Sequence, residues 1–135
     1  MKKMVNIKQE LPPEHIYKRC VDKFGVDFFA GAVFTVGNTI YSLNELSKDL
    51  IAHELTHVKQ QALMNPNEWW DKYIDDADFR LSQELEAYRT QWEYAKNEQS
   101  RQYRKQLKPH ILKTISGKMY GNMISKAEAE GLIMQ

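Results

Sequence analysis

The residues Leu50-Ile51-Ala52-His53-Glu54-Leu55-Thr56-His57-Val58-Lys59-Gln60-Gln61 constrain this chain more than any other stretch. They contain H-E-x-x-H, and on an α-helix that spacing sets His53 and His57 one turn apart on one face. Two imidazoles so placed can share a tetrahedral zinc ion, with zinc–nitrogen distances of roughly 2.0–2.1 Å. Glu54 is rotated by about 100° from His53, so it flanks such an ion without binding it. That is where a general base for water belongs. A lone histidine would read as a solvent-facing or hydrogen-bonded core residue. The pair, the glutamate between them and the periodic helix around them favour a metal instead.

The helix itself is read from its apolar residues. Ile51, Leu55, Val58 and Ala62 follow the i, i+4, i+7, i+11 rule and predict one core-facing stripe. Leu43, Leu46 and Leu50 run in the row of His53 and His57, which suits a metal at the floor of a cleft. Ser42-Leu43-Asn44-Glu45 fits a capping box, and Ser47 offers a second cap nearer the histidines. Asn65-Pro66-Asn67 predicts an end near Met64.

With 135 residues the chain has the length of a single domain, residues 1–135, able to bury a real core. A formal net charge of +1 gives no field for steering onto nucleic acid or an anionic membrane, so neither is expected as a partner. Cys20 is the only cysteine, which excludes an internal disulfide and points to a reducing, cytoplasmic compartment. The start, Met1-Lys2-Lys3-Met4-Val5-Asn6, is positive but has no apolar run behind it, so neither a signal peptide nor a membrane span is expected.

Pro12-Pro13 before Glu14–Phe24, with Gly25 after it, predicts a first helix packing through Ile16, Cys20 and Phe24. Between Val26 and Tyr41 the pattern turns to strand. Phe28–Val36 is rich in aromatic and β-branched residues, Gly37-Asn38 is a tight-turn pair, and Thr39-Ile40-Tyr41 resumes the strand, which reads as a β-hairpin. Gly25 and Gly31 mark bends or a third short strand. The hairpin has two uses open to it: an edge for an extended peptide, or a cover for the helix. The adjacent Trp69 and Trp70 read as packing anchors, with a substrate pocket made from one of them as the lesser alternative.

A catalytic zinc needs a third protein ligand. No histidine follows at short spacing, and His110 lies far off in a basic stretch, so a carboxylate is the better candidate. Phe79–Trp92 reads as a helix with an apolar face of Leu81, Leu85, Tyr88, Trp92 and Ala95. On that helix Glu84 lies about 60° from Leu81, whereas Glu86 lies about 140° away. Only Glu84 borders the buried face, where a carboxylate is costly unless paired or bound to metal. Glu84 is therefore the expected ligand, against the plainer reading of a salt bridge to Arg80 or Arg89.

His53–Gln61 followed by Gln83-Glu84-Leu85-Glu86-Ala87-Tyr88 resembles the gluzincin metallopeptidases, and more narrowly the small bacterial and phage metallopeptidases called minigluzincins. In related groups the glutamate helix reads E-x-E-A-D with the first glutamate as ligand. Here Tyr88 replaces the acidic residue that often steadies a metal-bound histidine. An alignment on N-E-A would choose Glu86 instead; geometry and the longer match favour Glu84. The resemblance implies an α+β, mostly helical, minimal zincin-like domain with a small hairpin or sheet ahead of the active-site helix. It implies zinc on His53, His57 and Glu84, with Glu54 as general base, hydrolysing a peptide or protein substrate held antiparallel to the sheet's edge strand. Tyr120, Tyr88 and His110 are the candidate donors to a developing oxyanion.

The C-terminal part carries less chemistry. The basic residues Arg101, Arg104, Lys105, Lys108, Lys113 and Lys118 read as a solvated face, with helix as far as Pro109. Gly117 and Gly121 bracket a turn, and Ser125-Lys126-Ala127-Glu128 fits a capping box opening a short helix that Gly131 ends. Two other functions stand beside hydrolysis: a zinc protein without activity, and a nucleic-acid-associated protein using the basic region.

Overall fold

A computed structural model describes residues 4–25 and 32–134. Pro13 and Gly25 bracket the first helix as expected: α1 (Glu14–Phe24) buries Ile16 and Cys20. Gly25, at φ 95°, takes a conformation that a residue with a Cβ rarely adopts. The hairpin forms from β2 (Phe34–Val36) and β3 (Thr39–Tyr41), which pair antiparallel around Gly37-Asn38. Gly37 turns the chain at φ 62°. The strand and bend expected over Phe28–Gly31 lie outside the described residues.

The third strand comes from the N-terminus. β1 (Asn6–Lys8) pairs parallel with β3, giving the order β1-β3-β2. All three of its residues are exposed, so it lacks the alternation that announces a strand. Its pairing is tertiary, and Asn6 N–H adds a bond to Asn38 O at 2.9 Å.

The rest is helical, which makes the fold α+β and mostly helical. α2 (Lys48–Ala62) carries H-E-x-x-H, and its N-cap is Ser47, not Ser42. Asn65 ends the approach to α3 (Pro66–Asp75) by capping it: its side chain accepts from Glu68 N–H, and Pro66 occupies the first turn. The breaker after α2 is thus also a starter. α4 (Ala77–Glu98) is longer than the apolar pattern predicts, and α5 (Arg101–Ile115) continues through Pro109. A 3-10 turn (Lys118–Tyr120) sits between Gly117 and Gly121. α6 (Lys126–Ile133) opens with the expected Ser125/Glu128 capping box but runs past Gly131. No helix among the described residues is long and apolar enough to cross a membrane.

One expectation is reversed. Ile51, Leu55 and Val58 are only half-buried and Ala62 is exposed, whereas Asp49, His53, Glu54, Thr56, His57, Gln60 and Gln61 are buried. The polar row of α2 faces inward because β2 and α4 meet it with hydrogen-bond partners instead of apolar side chains. Two apolar clusters flank this polar seam. One joins α1, β2 and α3 through Ile16, Cys20, Phe34, Trp69, Trp70 and Ile74. The other joins α4, α5 and α6 around Trp92, Ala95, Ile111, Ile115 and Ile133. Both tryptophans are anchors, as expected.

Candidate metal centre

α2 and α4 lie antiparallel: Asp49 meets Gln91, His57 meets Glu84, and Gln60 meets Gln83 and Glu86. This apposition brings the chemistry-bearing residues together. His53 Nε2 lies 3.0 Å and His57 Nε2 2.9 Å from a single atom, Glu84 Oε1. Each imidazole is held by a ring from a different cluster, His53 edge-on to Tyr88 at 4.5 Å and His57 to Trp69 at 5.2 Å. Glu84 is 6 % exposed, while Glu86 faces solvent, as the helix geometry predicts. The salt-bridge alternative is not realised: Arg80 donates to the backbone oxygens of Tyr73, Ile74 and Met119, and Arg89 to that of Leu132.

The proton positions on the two imidazoles follow from their neighbours. Gln91 Nε2 donates to Asp49 Oδ2 at 2.8 Å, so its carboxamide oxygen is the atom that meets His53 Nδ1, at 2.9 Å. Gln60 Nε2 donates to Gln83 O at 3.0 Å and to Glu86 Oε1 at 3.1 Å, so its oxygen meets His57 Nδ1, at 2.8 Å. A carboxamide oxygen only accepts, hence each Nδ1 carries the proton. In a neutral imidazole Nε2 then presents a lone pair. Two lone pairs and a carboxylate oxygen at one point repel unless a cation lies among them. That cation is either protons on the imidazoles or a metal ion, so the donor set fits a metal. His53, Glu54 and His57 form a buried group whose donor atoms lie within 4.8 Å of one another and can hold a metal ion.

No family model matches the chain, and no curated protein or solved structure matches it.

The electrostatics agree with the geometry. Burial disfavours a charged His57, but Glu84 and Glu54 outweigh it and raise its pKa to about 9. Burial also works against an ionised Glu84, yet His57 and His53 hold its carboxyl well below the usual range. Glu54 behaves differently: burial dominates over the two histidines and lifts its pKa. Thr35 Oγ1 donates to Glu54 Oε1 at 2.9 Å, and Glu54 Oε2 lies 3.7 Å from His53 Nε2. Two carboxylates in one seam are thus pushed in opposite directions, one towards a permanent anion and the other towards a proton carrier.

Glu84 Oε2 accepts from Tyr73 OH at 2.5 Å and from Tyr120 OH at 3.3 Å. Tyr120, Tyr88 and His110 all line the cavity over the site, together with Tyr73, Trp69, Trp70, Phe34 and Met119. Its volume is about 530 Å³, the size of an ordinary ligand pocket. The outer edge of β2 is partly taken. Thr35 O accepts from Gln61 Nε2 at 2.7 Å and Trp70 Nε1 at 2.9 Å, and Gly37 N–H donates to Gln61 Oε1 at 2.7 Å. From Thr35 onward the hairpin therefore covers α2.

Sequence reasoning missed Gln60, Gln91, Asp49, Thr35 and Tyr73. Three of them had a periodic signal. Asp49 lies one turn before His53, Gln60 three residues after His57, and Gln91 two turns after Glu84, each on the face of a site residue of its own helix. The basic residues of α5 are partly engaged within the chain, Lys108 with Glu130 at 2.5 Å and Arg104 with the backbone oxygens of Lys96 and Gln99.

Proposed function

We propose that the chain is a zinc-dependent peptidase of the gluzincin type, with His53, His57 and Glu84 holding the metal and Glu54 as general base. The convergence of both Nε2 atoms on Glu84 Oε1, with both Nδ1 protons committed elsewhere, carries this reading. Two imidazoles and one carboxylate are a recurrent catalytic donor set for zinc. Bound there, zinc supplies a Lewis acid that acidifies water and polarises a carbonyl.

The chain's own residues do the rest. Glu54, steadied by Thr35 and with its pKa raised by burial, takes the proton of an attacking water and returns it to the leaving amine. Tyr73 and Tyr120 hold Glu84 Oε2, which leaves Oε1 turned to the histidines. The aromatic residues of the cavity wall lower the polarity around the reacting atoms, which strengthens the charge interactions there. The cavity lies beside Val33, so a peptide is expected to pair ahead of Thr35, where the edge is not covered by Gln61.

The test combines metal analysis with hydrolysis of a mixed peptide library. Wild type is expected to hold one zinc per chain and to cleave. Glu54→Gln is expected to hold the same zinc and lose turnover by about 10²–10⁴-fold. Wild type that binds no zinc, or Glu54→Gln that cleaves as well as wild type, would overturn the reading.

A further inference from the structure

Asp49 is an expensive residue in its position. Its carboxylate is 0 % exposed, and no lysine or arginine pairs with it among the ion pairs of the described residues. Buried charges are ordinarily paired or neutralised. Here three neutral donors substitute: Gln91 Nε2 on Oδ2 at 2.8 Å, with Gln99 Nε2 at 3.0 Å and Tyr103 OH at 2.7 Å on Oδ1. They come from α4, the α4–α5 junction and α5, so a purely structural role is open to Asp49 as a staple across the start of α2. One bond goes further. Gln91, the donor on Oδ2, is the residue whose oxygen meets His53 Nδ1 at 2.9 Å.

A carboxamide can present either its oxygen or its nitrogen to a neighbour; the contact on its other end decides which. An ionised carboxylate has no proton to give, so Asp49 compels Gln91 to turn its NH₂ inward to α2's first turn and its oxygen to His53. The proton on His53 then stays on Nδ1, and Nε2 keeps the lone pair that a metal requires. We infer that Asp49 is a positioning residue of the metal centre, acting through Gln91 to fix the tautomer and aim of His53 from a distance of two hydrogen bonds. This rests on the metal-site reading above and adds to it a residue that touches neither metal nor substrate.

The structural and positioning roles separate by experiment. In Asp49→Asn the amide oxygen can still accept from Gln99 and Tyr103, but its NH₂ then faces Gln91 and turns that carboxamide round. Its nitrogen would meet His53 Nδ1, and the imidazole proton would be driven to Nε2. Exchanging the two residue types, Asp49→Asn with Gln91→Glu, reverses the bond between positions 49 and 91, the amide at 49 now donating to the carboxylate at 91. It restores the bond that matters: an oxygen at position 91 accepts from His53 Nδ1–H. Tyr103→Phe removes a donor from the same carboxylate and leaves Gln91 aimed as before.

The measurement is the zinc dissociation constant of each full-length chain, by competition with a chromophoric chelator, alongside near-UV circular dichroism to confirm folding. Asp49→Asn is expected to weaken zinc binding by about 10–100-fold, the exchanged pair to recover most of that loss, and Tyr103→Phe to stay near wild type. The inference is overturned if folded Asp49→Asn binds zinc as wild type does, if Tyr103→Phe loses as much, or if the folded exchanged pair recovers nothing. Should Asp49→Asn alone fail to fold, the exchanged pair decides against Gln91→Ala: affinity near wild type supports the inference, affinity as weak as Gln91→Ala overturns it. Wild type without zinc affinity is a separate outcome that removes the metal centre and this role with it.

Discussion

Tyr73 OH donates a hydrogen bond to Glu84 Oε2 at 2.5 Å, so one oxygen of that carboxylate is committed before the histidines are considered. The other, Oε1, is left to meet both Nε2 atoms. Glu86, two residues on, is exposed and reaches the site only through Gln60. The two glutamates should therefore separate cleanly. Glu84→Ala is expected to abolish stoichiometric zinc. Glu86→Ala is expected to keep it with affinity lower by about tenfold or less, because Gln60 retains the Gln83 carbonyl as an acceptor. Zinc titration of the two purified variants checks this, and equal loss in both would refute the ligand assignment.

Thr35 bears on the proposed general base, Glu54. Its hydroxyl donates to Glu54 Oε1 and favours the charged form, working against the burial that raises the Glu54 pKa. Thr35→Val keeps the shape and removes the donor, so the pKa rises further. The acid limb of kcat/KM, below which Glu54 is protonated and cannot accept, is expected to move to higher pH by roughly one to two units (a hydrogen bond to a charged group contributes about 1.5–3 kcal/mol). A pH–rate profile of the two proteins measures the shift. A limb that stays in place or moves down would separate Thr35 from Glu54.

Much of this centre was legible because helix periodicity is local. His53, Glu54, His57 and Glu84 were placed by angle alone, and all four are buried in one seam. The hairpin turn at Gly37-Asn38, the cap at Pro13 and the box at Ser125 were legible for the same reason. What failed was the choice of which α2 face turns inward. Counting apolar residues chose Ile51, Leu55 and Val58; the structure buries the polar row instead. That outcome depends on donors and acceptors contributed by Glu84, Gln91 and Thr35, from 19 to 42 residues away in the chain. β1 escaped notice because a three-residue, fully exposed strand has neither alternation nor burial to signal it.

Removing the metal should loosen the seam as well as stop turnover. With no ion, the Nε2 lone pairs of the two histidines and the Glu84 carboxylate face one another at close range, and what holds them is the glutamines at Nδ1 and the rings of Tyr88 and Trp69. A ligand that binds the folded chain at a hundred times its dissociation constant adds about 2.7 kcal/mol. For a chain of this size, chelation is expected to lower Tm by roughly 5–15 °C, and added zinc to restore it. Differential scanning calorimetry with and without chelator measures the difference; identical transitions would mean that no ion is bound at this site.

Cys20 tests the cluster on the other side of the seam. It is 0 % exposed on α1, packed in the group that includes Trp69 and Trp70. Burial pushes its thiol up to about 12, only partly offset by Arg19 beside it. Its folded pKa lies above the unfolded value, so this contribution to stability is fully present below the unfolded value and is lost progressively as pH rises from there to about 12. The thiolate is the reactive form, and native protein at mildly alkaline pH should hold almost none of it. Alkylation by iodoacetamide is therefore expected to be slow in the native chain and fast in denaturant, at a rate set by opening of the α1–α3 contact. Mass spectrometry of timed samples reads it directly. Rapid labelling of native protein would mean that α1 does not close over Trp69 and Trp70, and that one wall of the metal site is less firmly held than the packing implies.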